Sequence, residues 1–267
     1  MSKSTKRIVR GVVVLVVVGY FLPKLVIFYI ACGLYDVMRN RRLGYEVFEK
    51  YFFGNGVLTW LLSPFNILLD ILSLPNINKG VYRLEDLPPS HQAEINRLID
   101  ATRKQDVVGR LEAAAAEQKR SMFFFKWYGA DAETIADIPV FREKYKYIKT
   151  IGVSIFNKKQ STSAHFGPLR ATLRVLYNIN DMNDDGAYIV VGDVANYWRT
   201  SKLFIFDDTL LHQSFNETDQ IRYCLFVDIM RPTPAPAVLA WVVSAIKGLL
   251  STGGNALLYS NWKVVKK

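Results

Sequence analysis

At 267 residues the chain is long enough to bury one substantial core with an accessory segment beside it. Half of the residues are hydrophobic and the mean hydropathy is +0.09, which points to local membrane contact. The net charge of +10 calls for an anionic partner, either phospholipid headgroups or nucleic acid. Two cysteines, Cys32 and Cys224, in unlike contexts exclude a disulfide framework and a cysteine-based zinc site. The sequence also lacks a GxGxxG, a P-loop and a GxSxG elbow.

Residues 1–10 carry four basic side chains, and Gly11 to Tyr35 is apolar apart from Pro23-Lys24. That run exceeds the roughly 20 residues that a membrane span needs, and no small-x-small cleavage site follows it. It reads as a membrane anchor. Arg39, Arg41 and Arg42 place positive charge on its far side as well. A second apolar block, Gly56 to Pro75, contains Pro64 and Asp70. It either completes a helical hairpin with the first or lies in the interface with Trp60 at headgroup level. Residues 1–78 therefore read as anchor, hairpin and interfacial helices. In the favoured arrangement the main domain faces the cytoplasm, on a bacterial-type inner membrane.

Residues 79–234 read as the main domain. Pro88-Pro89 and Ser90, as N-cap, open a helix that carries through LEAAAAEQKR. SMFFFKWYG (121–129) is strand-like, and 133–148 reads as another short helix. After Thr150 the pattern turns to short segments rich in β-branched and aromatic residues: TIGVSIFN, LRATLRVLYNI, AYIVVGD, KLFIFDD, LLHQSFN and IRYCLFVDIM. Their spacing predicts a sandwich or barrel of β-strands with flanking helices. RPTPAPAV ends the sheet, Leu239 to Leu250 reads as an amphipathic helix, and a basic tail follows, so that 235–267 forms a third segment.

Two of the three histidines, His165 and His212, fall on the strand-like segments, 47 positions apart (212 − 165). Neutral imidazoles suit non-haem Fe(II), which commonly takes two histidines and a carboxylate. The carboxylate normally lies two residues after the first histidine, on the same strand face; here that position is Gly167. Arg222 and Arg174 lie in predicted buried strands, where an unpaired guanidinium is costly. Two histidines with two arginines point to a metal site that takes a dianion, and an arginine fork can grip a keto-acid carboxylate. His91, ahead of a helix and without evident partners, reads as a surface residue.

Ser154, HFGP (165–168), Leu173-Arg174, Trp198, FDD (206–208), His212, Arg222 and the closing VDIMRP together resemble the aspartyl/asparaginyl β-hydroxylase family of Fe(II)/2-oxoglutarate dioxygenases. Pro64-Phe65-Asn66, Tyr82-Arg83-Leu84 and Lys126-Trp127-Tyr128 extend the resemblance toward its membrane-bound lipid A hydroxylases, over residues 56–232. The resemblance implies a double-stranded β-helix (cupin-like jelly roll) with N-terminal membrane-anchoring helices. It implies Fe(II) on His165 and His212, 2-oxoglutarate on Arg222 with Ser154 and Arg174 in support, O₂ as co-substrate, and hydroxylation of a membrane lipid's acyl chain, lipid A-like or ornithine-lipid-like. Two departures stand out. Gly167 replaces the aspartate of the lipid hydroxylases, as it does in the animal β-hydroxylases, and Leu176 replaces a histidine that touches the cosubstrate. A lost hydrogen bond to a charged group costs about 1.5–3 kcal/mol. Asp208 could replace the missing carboxylate, but its counterpart in the family reads as structural.

The anionic partner expected is the membrane surface. No basic run is interleaved with aromatics, so nucleic acid is not expected. The competing readings are a non-catalytic lipid-binding member, for which Leu176 argues, a polypeptide hydroxylase, and a halogenase with chloride opposite Gly167.

Overall fold

The computed structural model describes residues 3–115, 120–132, 138–249 and 263–264. Five helices come first: α1 (Lys3–Phe21), α2 (Pro23–Met38), α3 (Tyr45–Phe53), α4 (Val57–Leu61) and α5 (Ser63–Leu72). Strand β1 (Val81–Tyr82) leads into α6 (Pro89–Lys104) and α7 (Val107–Ala115). Then follow β2 (Arg120–Trp127), β3 (Ala130–Asp131), α8 (Pro139–Arg142), β4 (Ile148–Phe156), β5 (Gln160–Ser161), β6 (Thr172–Asn178), β7 (Ala187–Val191), β8 (Val194–Tyr197), β9 (Leu203–Phe206), β10 (His212–Asn216) and β11 (Arg222–Met230). Helix α9 (Pro236–Leu249) and strand β12 (Lys263–Val264) close the described chain.

The apolar run from Gly11 to Tyr35 is not one helix. Pro23 lacks an amide N–H and occupies the first turn of α2, so the chain breaks at Leu22 (φ −133°, ψ 58°). The two helices then fold back on each other. A Cβ on Gly11 would lie 2.6 Å from the Phe53 ring, and one on Gly33 would lie 2.8 Å from the neighbouring Phe52 ring. An unbroken helix would hold those two glycines about 33 Å apart. The hairpin expected from two apolar blocks is therefore built from the first block alone. Among the described residues no helix is long and apolar enough to cross a membrane.

The second block forms α4 and α5, which buttress the domain. Leu69 packs with Ala171, Met230, Leu239, Val242 and Val243, a cluster that also ties α9 to the core. Trp60, expected at headgroup level, is buried, and its indole N–H donates to the Tyr29 carbonyl at 2.8 Å.

Strands β4, β6, β9 and β11 fall in one sheet and β5, β7, β8 and β10 in another, each set antiparallel. One runs β1-β9-β6-β11-β4-β2-β12, with β3 on β2; the other runs β5-β10-β7-β8. The nested pairs are β4 with β11, β5 with β10, β6 with β9 and β7 with β8. This winding is the jelly roll that the family resemblance implies. All nine residues of β11 are buried, because both faces of the large sheet are covered. Ile95, Leu98, Ile99, Val107 and Leu111 of α6 and α7 cover the outer face. The inner face looks across a cavity to the small sheet.

Helix α6 starts at Pro89 with no side-chain cap, so Ser90 is not its N-cap. His91 is buried rather than on the surface; its Nε2 lies 3.1 Å from the Met230 carbonyl and its ring stacks on Tyr147. Of the helix expected over 133–148, residues 139–142 form α8, while 133–137 lie outside the described residues. The helix expected to carry through LEAAAAEQKR does not: 111–115 belong to α7, 116–119 lie outside the described residues, and Arg120 already opens β2. The end of the C-terminal helix, and the tail apart from 263–264, also lie outside them.

Candidate active site

Strand register brings the site together on the inner face of the large sheet. Ser154 pairs with Cys224, Leu176 with Phe226, and Arg174 with Asp228, while Arg222 sits opposite Phe156. Alternation along β4, β6 and β11 then turns Ser154, Leu176, Arg174 and Arg222 to one face. From the other side β10 contributes His212 and Ser214. His165 forms an isolated bridge with His212, each donating its backbone N–H to the other's carbonyl at 2.9 Å. The two imidazole centroids are 4.2 Å apart. Ser154, Arg174, Leu176, Arg222, His165 and His212 line one cavity of about 420 Å³, together with Phe166, Gly167, Ile189, Phe206, Asp208 and Tyr128.

Each histidine is oriented by its own loop. The Nδ1 of His165 lies 2.8 Å from the Ser163 carbonyl, and that of His212 lies 2.9 Å from the Leu210 carbonyl. A carbonyl only accepts, so both protons reside on Nδ1 and both lone pairs on Nε2, the tautomer that a metal-binding histidine needs. Burial, with His165 adjacent, holds the His212 pKa well below the ordinary value and keeps the ring neutral.

Arg222 is 1% exposed, and its Nε and Nη1 have no hydrogen-bond partner. Its guanidinium lies 4.2 Å from the Phe156 ring centroid and 5.3 Å from that of Trp198, and burial lowers its pKa. A buried cation without a carboxylate is costly, so the cavity is built to receive an anion there. Ser154 Oγ donates to the Cys224 carbonyl at 3.3 Å, and Ser154 also lines the cavity.

Arg174 answers to protein carboxylates. It donates to Asp208 at 2.8 Å and to Asp228 at 2.7 Å and lies 3.8 Å from the Phe226 centroid. Its place in the wall agrees with the expected support role, but its charge is taken up by the protein. Leu176 lies in an apolar row between Phe226 and Phe204.

Asp208 matters more than the sequence conveyed. A Cβ on Gly167 would lie 2.4 Å from its carboxylate. Asp208 therefore fills the space in which a side chain at 167 would stand, and Gly167 is the residue that admits it. Burial pushes its pKa up to about 7 against the pull of Arg174, with Asp228 and Asp207 adding to the rise. Among the described residues no cluster of three His, Cys, Asp or Glu side chains is close enough to hold a metal. The donor set is thus two imidazoles, each with its Nδ1 turned to a carbonyl, facing an unpartnered guanidinium. Those residues fit Fe(II) and a dicarboxylate, with Asp208 beside them on Arg174.

The N-terminal helices hold both histidine loops, a role that no sequence reading gave them. Asn55 donates to the Ala164 carbonyl at 2.9 Å, Thr59 to that of Gly167 at 3.0 Å and Asn66 to that of Pro168 at 3.1 Å. Arg170, fully buried, pairs with Asp36 of α2 at 2.6 Å. On the second loop, Arg39 pairs with Asp207, and Leu211 donates its N–H to Asn40 Oδ1 at 2.7 Å. Burial alone would raise Asp207, but Arg39 and Arg170 hold its carboxyl well below the usual range.

A sequence model described as aspartyl/asparaginyl beta-hydroxylase matches residues 90–232, more than half of the chain. The ornithine lipid ester-linked acyl 2-hydroxylase of Rhizobium tropici is 28% identical over 159 residues, 56% of this chain and 56% of that protein. Aspartate beta-hydroxylase domain-containing protein 2 of Rattus norvegicus is 30% identical over 88 residues, 32% of this chain and 25% of that protein. The chain therefore matches about half the length of the first and a quarter of the second. Among solved structures, an oxidoreductase of the 2OG-Fe(II) oxygenase family from Burkholderia pseudomallei aligns at TM-score 0.32 and 11% identity, covering 47% of this chain and 79% of that one; a likeness so low adds no weight. On the sequence match, which takes in both histidines and Arg222, the chain belongs to the aspartyl/asparaginyl β-hydroxylase family.

Proposed function

We propose that the protein is an Fe(II)/2-oxoglutarate-dependent dioxygenase that hydroxylates an acyl chain of a membrane lipid, lipid A-like or ornithine-lipid-like. The observation that carries this reading is the pairing, in one cavity, of two Nε2-presenting histidines with the buried, unpartnered Arg222. His165 and His212 would hold the iron, and Arg222 the distal carboxylate of 2-oxoglutarate. When bound, iron and 2-oxoglutarate supply activation of O₂; one oxygen goes to the substrate C–H bond, the other to succinate, and CO₂ leaves.

The chain's own groups do the rest. The Ser163 and Leu210 carbonyls fix the imidazole tautomers. Arg174 holds Asp208 beside the histidines, at the edge of the space that Gly167 leaves open. Phe166, Leu176, Ile189, Phe206 and Phe226 line the cavity and exclude water from a hydrocarbon substrate. That lining, the acyl hydroxylase among the relatives and the exposed apolar helices support a lipid over a polypeptide. The hairpin would seat the protein on an anionic bilayer, a bacterial-type inner membrane with the domain in the cytoplasm.

Anaerobic titration with Fe(II) or Co(II), followed by thermal unfolding with and without 2-oxoglutarate, tests the site. Metal and 2-oxoglutarate together should raise Tm. His212→Ala should abolish the metal dependence, and Arg222→Leu only the 2-oxoglutarate increment. A wild-type chain that binds acyl lipid but neither metal nor 2-oxoglutarate would instead be a non-catalytic lipid binder.

A further inference from the structure

The cavity has one wall that does not come from the jelly roll. Gly54, Asn55, Leu58 and Thr59, from the end of α3 through α4, line it beside Phe166 and His165. Leu58 is 42% exposed, so it stands at the rim, with one side toward the cavity and the other outward. Leu61, one turn on along the same face of α4, is 56% exposed.

The same helical unit carries nearly all the apolar surface that the fold leaves uncovered. Of the large apolar side chains exposed among the described residues, all but Tyr197, Val238 and Trp241 lie between Val9 and Ile77. Soluble surfaces rarely carry so large a contiguous patch. The pattern on α1 identifies what covers it. Gly11, against the Phe53 ring, and Leu15 are partly covered by the neighbouring helices, while Gly19 borders open space and Val12, Val13, Val14, Val16, Val17 and Val18 around the rest of the helix are exposed. A protein partner covers one stripe of a helix; a helix apolar around its circumference is solvated by lipid. The charge agrees. Exposed Lys6, Arg7 and Arg10 and exposed Arg41 and Arg42 flank the hairpin at its base, whereas its tip is Tyr20, Phe21 and Leu22. Lys24, just past the tip, has a stem long enough to snorkel.

We infer that the cavity opens onto the bilayer that the hairpin enters, so that the acyl substrate passes from the lipid phase over Leu58 and the α3–α4 turn to the histidine pair without crossing water. This rests on the lipid-hydroxylase reading above. The hairpin packs on α3 and α4, which carry the rim, and the hydrogen bonds of Asn55 and Thr59 to the His165 loop hold that rim against the site.

Bromolipid quenching tests the inference on the full chain without any turnover. Phe21→Cys, Leu58→Cys and Tyr197→Cys are each labelled with a fluorophore; Cys32 and Cys224 are buried and stay unlabelled. Each is mixed with vesicles of phosphatidylcholine and phosphatidylglycerol brominated on their acyl chains. Labels at 21 and 58 should be quenched by bromine and shielded from iodide, and the label at 197 the reverse. Bromine quenching at 21 with iodide quenching at 58 would put the mouth in water and overturn the inference. So would shielding of both sites without bromine quenching in a particle of doubled mass, which would make the cover a second copy. In the activity arm, Phe21→Asp with Leu22→Asp should lower hydroxylation of vesicle lipid at least tenfold while a short-chain water-soluble acyl substrate is turned over as before; an equal loss on both substrates would overturn it. Quenching as expected from a chain that hydroxylates neither substrate counts against the proposed reaction and not against the bilayer-facing mouth.

Discussion

Gly167 stands where a carboxylate ligand is usual, and its neighbourhood explains why it is glycine: the Asp208 carboxylate already fills the space that a Cβ would take. Gly167→Ala should cost about 1–3 kcal/mol by overpacking, read by thermal unfolding, and weaken Co(II) binding. In an Asp208→Gly background the same substitution should cost little; an equal cost in both backgrounds would show that Asp208 is not the obstacle. His91 supplies a pH dependence away from the site. Burial lowers its pKa against the pull of the Met230 carbonyl and Glu94. The folded state thus favours the neutral ring. The stability that this contributes is present above the unfolded pKa of about 6.5 and is lost as pH falls through the lower folded value. Melting temperature should fall as pH drops from about 7 toward 5, and His91→Gln should flatten that fall. These residue-scale facts were only partly legible in the sequence. His165, His212 and Arg222 stood out because imidazole pairs and strand-buried guanidinium groups are rare. Asp208 did not, because its importance comes from its approach to Gly167 across two loops.

At the scale of elements, α2 to α5, which the sequence suggests only as an anchor, are parts of the site. Arg39 and Asn40, at the end of α2, hold the loop that leads to His212, and Asn55, Thr59 and Asn66 hold the loop that carries His165. Arg39→Met leaves Asp207 buried with only Asn78 and Thr209 as side-chain donors. Breaking a buried ion pair from one side costs about 3–5 kcal/mol, and this variant should lose both Tm and metal affinity. Removing residues 1–43 should likewise leave no metal-binding domain, measured by Co(II) titration; a truncated chain that binds metal like the full chain would show that the helices serve attachment alone. Hydropathy marked these segments as apolar without showing their fold. The run from Gly11 to Tyr35 is long enough for a span by composition, yet Pro23 and the fit of Phe52 and Phe53 against Gly33 and Gly11 turn it into a hairpin. Such a choice is set by side-chain shape between distant segments, which a window along the chain does not see. The resemblance carried by Pro64-Phe65-Asn66 did mark a functional position, since Asn66 also accepts the Arg170 N–H at 3.0 Å.

For the whole molecule, the short runs of β-branched and aromatic residues and the turn spacing after Thr150 foretold the β-rich half; β11, buried on both faces, is apolar except at Arg222 and Asp228. The nested pairing of β4 with β11 through β7 with β8 came from the resemblance and not from periodicity, which leaves strand order open. On the proposed reading, a jelly roll that would hold the chemistry is joined to helices that would meet lipid, and both line the cavity. The measurement that tests this most directly is mass spectrometry of lipids from cells that make the full chain, supplied with iron, beside cells that make His212→Ala. The protein should add one oxygen to the acyl chain of a membrane lipid, with succinate formed in equal amount by the purified enzyme, and His212→Ala should add none. Unchanged lipids from the wild-type chain in a host that contains lipid A and ornithine lipids, with iron and 2-oxoglutarate bound to the purified protein, would contradict acyl hydroxylation of those lipids.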